Sequence, residues 1–592
     1  MANSLFRTKK IDSILSEGSD HRHGDQGLKR VLTVRDLTFF GIAAILGAGS
    51  FSSLGGAVFH GGPGVVILFI ITAIACAFTA FCYSEFASRI PVAGSAYTYA
   101  YASFGELFAW IIGWALIMEY SIGNIYVAYS WSDYFTSFLD KTGLHIPEYL
   151  STSYMEAKHA IEKGSSSADE LAAWNNAPVA GGLRIILDLP ALVINVLITY
   201  LVFRGVRESR NFSNVMVVLK LAVVALIILV GGALVFSNGL TYNWTPPNDD
   251  EVRSFMPNGF SGVMAAVSGV FFAYIGFDAV SVLAEESKNP QKDLPRGMIL
   301  SLVICTIIYI LLTLVLTGAV NYRNFDGVGD PLAFIFEKQN LNIGWMQVLV
   351  SICAVIAMTS VLLVFQMGQP RIWMSMSRDG LLPPVFQKIH PKYKTPSFAT
   401  IITGLVVGVP ILFTDKTFVL DFTSIATLFA FVLVCGGVLL IPVREKQPGR
   451  FHIPFISGQF IFPLIVAGAI VMAQVLSKNY FADLFHFDFS GNEDYKSGKI
   501  SFMDAATPNI SLIIFWISAV VLAVVAFIKK YSLIPLMGLI TCMYLLTGMT
   551  KSNWVWFLSW LLIGVVFYFL YGYKKSKLAL VESAMQESKT RF

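Results

Sequence analysis

The sequence predicts an all-α integral membrane protein with about fourteen transmembrane helices. Of its 592 residues, 55% are hydrophobic and 14% are charged, whereas an ordinary soluble chain has about 25% charged residues. The hydrophobic residues form long blocks and do not alternate with polar ones as in a half-buried soluble helix. There are too few polar side chains to cover a soluble multidomain enzyme, and that class is excluded.

A helix that crosses a membrane needs roughly 20 mostly apolar residues. Blocks of this length give fourteen predicted spans, at residues 37–60, 64–88, 106–139, 183–204, 212–236, 259–285, 297–320, 344–369, 396–414, 419–442, 456–477, 511–528, 531–549 and 554–573. The third block is long enough to tilt strongly or to project beyond the bilayer. No role is predicted for the two longest polar segments between spans, 140–183 and 478–510.

Lysine and arginine indicate the orientation, because positively charged loops stay in the cytoplasm. With the N-terminus inside, 28 of the 42 Lys and Arg residues fall on the cytoplasmic side and 12 on the other side. Both termini are then cytoplasmic, which requires an even number of spans. Residues 1–32 lack an apolar core, so no removable signal peptide is expected. The predicted location is the plasma membrane.

Several other functions are disfavoured by the composition. The net charge of +4 is too small to indicate a nucleic-acid partner. All six cysteines lie in apolar blocks, which suggests small apolar packing residues and no disulfide framework. The chain has no His-Glu-x-x-His motif and no phosphate-binding loop. We therefore expect no enzyme activity, no cofactor and no metal.

Two of the spans are interrupted by residues that disfavour helix. Gly47, Gly49 and Ser50 lie in the first span, and Gly276 and Asp278 lie in the sixth. An unwound backbone at membrane depth is tolerated only where protein or water surrounds it. The alternative is that these glycines only let helices pack closely. Interruptions at matching positions, five spans apart, favour discontinuous helices around a transporter binding site.

Such interruptions carry charge that suits an α-amino acid. Free backbone N–H groups at the start of a half-helix favour a carboxylate. Unpaired carbonyl groups carry the opposite partial charge and favour an ammonium group. One zwitterionic substrate satisfies both interruptions.

Few ionisable residues lie inside spans, where charge is costly, and the candidates for a role in transport are Glu119, Lys220 and Asp278. They either form a buried ion-pair network that only fixes packing or take part in transport. No histidine lies in the interior of a span, so proton coupling has to use a carboxylate or Lys220. A fixed Lys220 ammonium could instead occupy the place where another transporter binds sodium.

The sequence resembles the amino acid–polyamine–organocation (APC) superfamily, and within it the cationic amino acid transporter branch. The strings that carry the resemblance are residues 41–49 (GIAAILGAG), 83–99 (YSEFASRIPVAGSAYTY), 272–278 (FAYIGFD), 285–295 (EESKNPQKDLP), 377–383 (SRDGLLP) and 560–564 (WLLIG). The resemblance implies a five-plus-five inverted-repeat fold with discontinuous helices 1 and 6. It divides the chain into a cytoplasmic tail (1–36), a ten-helix core (37–442), four additional helices (443–573) and a second cytoplasmic tail (574–592).

The resemblance also implies where the substrate binds. The substrate carboxylate falls on the backbone of Ala48, Gly49 and Ser50, and the ammonium group on the carbonyls of Ile45, Phe272, Ala273 and Ile275. Glu119 and Gly123 border the side-chain pocket. Lys220 matches a family lysine that substitutes for sodium beside Thr359 and Ser360, and the coupling residues are Lys220, Asp278 and Glu119.

This chain departs from the family pattern at three pocket positions. Ala48 and Ser50 stand where a hydroxyl and an apolar residue are usual. Phe365 is bulky where carriers of arginine and lysine tend to be small. These differences favour small or neutral amino acids, or a broad range of amino acids, as substrates.

The function expected from the sequence is secondary active amino acid transport by alternating access, driven by proton symport. Its partners are then an amino acid, protons and the lipid bilayer, and no oligomeric state is predicted. The main alternative is a proton-independent amino acid exchanger or facilitator. A polytopic membrane enzyme or a channel is the weaker alternative.

Overall fold

The computed structural model describes residues 5–9, 14, 32–90, 95–163, 168–205, 210–248, 251–284, 287–393, 395–440, 451–489, 493–496 and 500–580. The predicted division between residues 442 and 443 lies outside these ranges. So do most of the predicted N-terminal tail and the end of the C-terminal tail.

After residues 5–9 and 14, the described part of the chain has five helices and then a polar segment. The helices are α1 (Val34–Ile45), α2 (Leu54–Gly61), α3 (Val65–Arg89), α4 (Ser95–Ser103) and α5 (Glu106–Thr142). The polar segment, residues 143–163 and 168–188, is called the α6–α7 segment. It contains α6 (Tyr154–Lys163), α7 (Ala168–Asn176) and the antiparallel strands β1 (Val179–Ala180) and β2 (Leu183–Arg184).

The rest of the described chain is mainly helical. Nine helices follow the polar segment: α8 (Leu189–Arg204), α9 (Arg210–Ser237), α10 (Gly259–Ala265), α11 (Val267–Phe272), α12 (Pro290–Ala319), α13 (Pro331–Phe334), α14 (Gly344–Arg378), α15 (Ser397–Ile411) and α16 (Lys416–Leu440). The last helices are α17 (Gly458–Leu476), α18 (Tyr480–Leu484), α19 (Glu493–Lys496), α20 (Phe502–Lys529), α21 (Leu533–Leu546), α22 (Lys551–Phe567) and α23 (Tyr573–Lys575).

Helix occupies most of every predicted span. Within the described ranges, nine helical stretches are long and apolar enough to cross a membrane, and three apolar helices are shorter. The predicted start of the fourth span is wrong: residues 183–184 form β2, and the helix begins at Leu189. The Asp188 side chain accepts a hydrogen bond from the Ala191 amide, and Pro190 in the first turn fixes this start.

The main hydrophobic core extends through α1–α5 and α8–α16 and reaches α21 and α22, and its most extensively packed pair of helices is α5 and α14. Helices α8, α15 and α16 also pack on α5. Polar side chains join four of these helices, because Gln366 on α14 bonds Asn124 on α5 and Thr199 on α8. The Asn195 amide on α8 donates to Gly404 O on α15. Helices α5, α8, α14 and α15 therefore form one connected unit.

The helices after α16 attach to this core in different ways. Helix α21 packs on α3 and α16. Helix α22 is joined to α5 by two reciprocal bonds, because the indoles of Trp114 and Trp560 each donate to the other residue's carbonyl oxygen. Helices α17 and α20 pack on each other and on α21, in a second, separate cluster. Their remaining surface is apolar and exposed, as expected for contact with lipid.

One end of the bundle is closed by both terminal segments, and we call it the terminal face. Glu106 at the start of α5 accepts hydrogen bonds from Tyr101 (3.1 Å), Tyr568 (2.9 Å) and Ser576 (2.5 Å). The Arg7 guanidinium lies 3.8 Å from the same carboxylate. Beside them, Asp379 accepts from Lys9 Nζ (2.9 Å) and from the Tyr97 hydroxyl (2.7 Å).

The other end of the bundle is open, and we call it the vestibule face. Helix α5 reaches it from the terminal face over 37 residues, which is roughly 54 Å at 1.5 Å per residue. A cavity of about 1450 Å³ lies there, between α5, the α6–α7 segment and the start of α16. Eleven of its lining residues are acidic: Asp133, Asp140, Glu148, Glu156, Asp169, Glu170, Asp326, Asp330, Glu337, Asp415 and Asp421.

Candidate functional site

The first interrupted helix breaks between Ile45 and Ala48. Helix α1 ends at Ile45, and Leu46 leaves the helical conformation with φ −77° and ψ 77°. A π-helical turn, Gly49–Ser53, then leads into α2. The amides of Ser50 and Phe51 both donate to Gly47 O at 3.1 Å. The amides of Ala48 and Gly49 precede these bonds and stand at the start of the second half-helix, where partial positive charge collects.

The second interrupted helix breaks after Phe272. Helix α11 ends there, residues 273–277 form turns, and a 3₁₀ helix continues at Asp278–Leu283. Gly276 has φ +118°, a conformation that only glycine adopts readily. Gly276, the glycine that the sequence singles out, therefore lies inside the break.

The two breaks touch each other through their backbones. A Cβ atom on Gly49 would lie 2.5 Å from Ala273 Cα, and one on Gly276 would lie 2.8 Å from Ala44 Cβ. These distances are too short for any side chain. Glycine at both positions allows the approach of the two interrupted helices.

Tyr309, which the sequence analysis missed, joins the two breaks. Its hydroxyl lies 2.9 Å from Ile45 O and 2.7 Å from Ala273 O. Phe272 O, another predicted ammonium acceptor, accepts from the Ile275 amide at 3.2 Å. The available signal was a tyrosine in the middle of the apolar helix α12, since a buried hydroxyl there needs an acceptor.

Lys220 lies beside the first break. Its ammonium donates to Ser360 Oγ (2.7 Å) and contacts Ala43 O (3.3 Å) and Leu46 O (3.4 Å). It is fully buried. Thr359, the other predicted neighbour, accepts from the Trp131 indole at 2.9 Å. Lys220 thus links α9 and α14 to the last carbonyls of α1.

The other two candidate ionisable residues, Glu119 and Asp278, form a separate group. Glu119 and Asp278 are both buried, and their carboxyl groups are close enough for their charges to interact. Thr427 on α16 is a polar neighbour of Glu119. Backbone amides around Gly276 and Ala279 face the Asp278 carboxyl group. The second break therefore holds a carboxyl group whose charge acts on Glu119 of α5.

The predicted side-chain pocket is narrowed by Phe365. A Cβ atom on Gly123 would lie 3.3 Å from Phe365 Cε2. The Phe365 ring packs edge-on against Tyr120, with 5.6 Å between ring centroids. Glycine at position 123 thus gives the phenyl ring its space.

The vestibule approaches the breaks from one side. Its lining includes Ser52 and Ser53, which follow Gly49 by three and four residues, and Tyr126, one turn beyond Gly123 on α5. The Tyr126 ring packs on the Phe272 ring at 4.6 Å between centroids. This aromatic pair lies between the vestibule and the second break.

The described residues include no group of three or more His, Cys, Asp or Glu side chains placed to hold a metal ion. The six cysteines are buried and unpaired.

Comparison with known proteins identifies the class. The amino acid permease family matches residues 32–484, and the chain belongs to this family. It is thus a multi-pass membrane permease of the APC superfamily, as the resemblance implied, and not an enzyme.

Three relatives illustrate the range of the family. The chain is 41% identical to the branched-chain amino acid permease BcaP of Bacillus subtilis, over 76% of this chain and 87% of the relative. It is 39% identical to a methylthioribose transporter of the same organism, over 79% and 91%. It is 31% identical to the vacuolar cationic amino acid transporter 2 of Arabidopsis thaliana, over 97% and 93%.

Proposed function

We propose that this chain is a proton-coupled amino acid symporter that binds its substrate between the two breaks and works by alternating access. The observation that carries the proposal is the backbone contact of Gly49 with Ala273 and of Gly276 with Ala44. It places the start of one half-helix and the end of another side by side. A substrate that carries a carboxylate and an ammonium on adjacent atoms matches this pair.

The substrate carboxylate binds the amides of Ala48 and Gly49, and the Ser50 amide joins them once its bond to Gly47 O opens. The ammonium binds the carbonyls of Ile45, Phe272, Ala273 and Ile275. Tyr309 already contacts two of these carbonyls. Because a carbonyl oxygen has two lone pairs, the hydroxyl and an ammonium can share it. Tyr309 thus holds both carbonyls in place for the substrate.

The side chain of the substrate enters the pocket bordered by Glu119, Gly123 and Phe365. The phenyl ring restricts the length of that side chain, which favours small or neutral amino acids. The names of the relatives include both branched-chain and cationic amino acids.

Proton coupling uses Lys220, Glu119 and Asp278. Two buried carboxyl groups whose charges interact repel when both are ionised, so a state in which one of them is protonated is favoured. Lys220 contacts the last carbonyls of α1, so a change in its charge acts directly on the first break.

The five-plus-five inverted repeat supplies the moving parts. Helices α5, α8, α14 and α15 are fastened to one another and act as the static unit, against which the interrupted helices rock. The protein spans the plasma membrane fourteen times, with the terminal face in the cytoplasm and the vestibule open to the outside.

Reconstitution in proteoliposomes tests the proposal. Uptake of labelled amino acids should be driven by an inward proton gradient, and Lys220→Met should abolish this stimulation. Lys338→Met, which removes an exposed lysine, is the matched control and should leave uptake unchanged. Full counterflow with no response to the proton gradient would indicate the exchanger instead.

A further inference from the structure

Two buried tyrosine hydroxyls lie between the second break and the terminal face. Tyr83 is near the end of α3 and Tyr99 is on α4, and both side chains are fully buried. Among the described residues, neither hydroxyl has a hydrogen-bond partner. Buried polar groups are almost always bonded, to protein or to ordered water, because an unpaired one loses its hydration without compensation. The two hydroxyls therefore indicate a place where a small polar ligand binds.

Aromatic packing fixes the two tyrosine rings. The Tyr99 ring stacks on Phe86, with 4.8 Å between centroids. The Tyr83 ring packs edge-on against Phe277 in the second break (6.2 Å) and against Phe431 on α16 (5.6 Å). The centroids of the two tyrosine rings are 6.2 Å apart. Because protein interiors are close-packed, neither hydroxyl can turn to another acceptor without disturbing these contacts.

The Asp278 carboxyl group is a shared neighbour of the two hydroxyls. It lies within electrostatic range of both Tyr83 and Tyr99. A buried water molecule makes about three hydrogen bonds to groups that have no other partner. Two hydroxyls and one carboxyl group supply that number, so water fits the site. The other ionisable groups around it are Cys76 on α3 and Glu119 and Tyr120 on α5.

Further buried hydroxyls continue from this place along α4. Ser281, in the same 3₁₀ helix as Asp278, is a polar neighbour of Tyr99. Its hydroxyl donates to Ser95 Oγ at 3.2 Å, and both serines are buried. Ser95 is the first residue of α4, the helix that reaches the terminal face. Polar oxygens thus run from the second break into the packed end of the bundle.

We propose that Tyr83 and Tyr99 hold water against the Asp278 carboxyl group, and that this water carries the coupling proton towards the terminal face. The proton leaves the carboxyl group for the first water, which passes a proton on to the hydroxyls of Ser281 and Ser95. Each of these oxygens gives up one proton for the one it accepts, and the carboxyl group is left ionised. The two tyrosines are positioning residues, because they act through the water. The proton route rests on the proton coupling proposed above, whereas the water site does not.

X-ray radiolytic labelling of the full chain in lipid nanodiscs tests the water site without substrate. Bound water exposed to X-rays yields hydroxyl radicals, which oxidise the side chains that hold it even where these are buried. Mass spectrometry should show several-fold faster oxidation of Tyr83 and Tyr99 than of Tyr274. Tyr274 is a matched control because it is fully buried and its hydroxyl donates to Phe69 O at 3.0 Å. Oxidation of all three tyrosines at the same rate would overturn the water site.

Transport measurements test the proton route. Tyr83→Phe and Tyr99→Phe keep the packed rings and remove only the hydroxyls. In proteoliposomes each variant should lower proton-driven uptake several-fold but keep the counterflow of the parent, because counterflow requires no net release of protons. Tyr274→Phe removes a hydroxyl that already has a protein acceptor and should keep the parent's ratio of proton-driven uptake to counterflow.

Two results would contradict the route. One is full proton-driven uptake in both Tyr83→Phe and Tyr99→Phe, and the other is an equal loss of uptake and counterflow. A parent protein without any response to the proton gradient would contradict the proposed symport and the route with it, while the labelling still decides the water site.

Discussion

The two ends of α5 are held by different kinds of interaction. At the terminal face, the carboxylate of Glu106 is fully buried and accepts three hydroxyl hydrogen bonds beside Arg7. At the vestibule face, Asp133 pairs with Lys416, and their side chains stay 30% and 18% exposed. Buried charge networks are costly to break, whereas partly exposed pairs exchange readily with water. The closed face is therefore also the more strongly fixed one.

The largest loss of stability is expected from removing the carboxylate of Glu106, which lies at the centre of the terminal face. Glu106→Ala takes the acceptor from Tyr101, Tyr568 and Ser576 and the charge partner from Arg7. Loss of such a buried partner costs roughly 3–5 kcal/mol. Thermal unfolding in detergent should show a large drop in the melting temperature. Glu162→Ala, at an exposed carboxylate, should change stability by less than about 0.5 kcal/mol. Equal effects of the two changes would contradict the comparison.

An intermediate effect is expected between the two faces, where Tyr309 joins the breaks. Tyr309→Phe keeps the ring but removes the hydroxyl that contacts Ile45 O and Ala273 O. Buried carbonyls that lose a donor cost about 1–3 kcal/mol. The melting temperature should fall less than for Glu106→Ala. An unaltered melting temperature would mean that the hydroxyl does not hold the breaks together.

The smallest effect is expected at the vestibule face. Lys416→Met removes the ion pair with Asp133 but keeps the length of the side chain. Because both partners are partly exposed, the cost should be about 1 kcal/mol or less. The same thermal measurement, run beside Glu106→Ala, ranks the two faces. A fall in melting temperature as large as that of Glu106→Ala would contradict the difference in strength between the two faces.

The sequence predicts the breaks because their signals are local. Gly47, Gly49 and Gly276 lower helix propensity wherever they stand, and the apolar blocks around them set the spans. The contact of Ser360 with Lys220 was expected from the family resemblance, which carries three-dimensional information that composition lacks.

The parts that were not predicted depend on contacts between distant segments. Nothing around Tyr309 indicates that its hydroxyl faces two carbonyls on other helices. Glu156 lies in a polar segment without apolar periodicity, and its carboxyl group accepts from the Lys416 amide, 260 residues away. The role of Arg7 was not predicted either, because a charged N-terminal segment is typical of a solvated tail.

The most direct test of the central claim is ligand-induced stabilisation with matched analogues. An amino acid that raises the melting temperature of the purified protein is compared with its carboxamide and with its deaminated acid at equal concentration. If the breaks bind both charged groups, each analogue should lose most of the stabilisation. An analogue without the ammonium or without the carboxylate that stabilises as well as the parent amino acid would contradict the account.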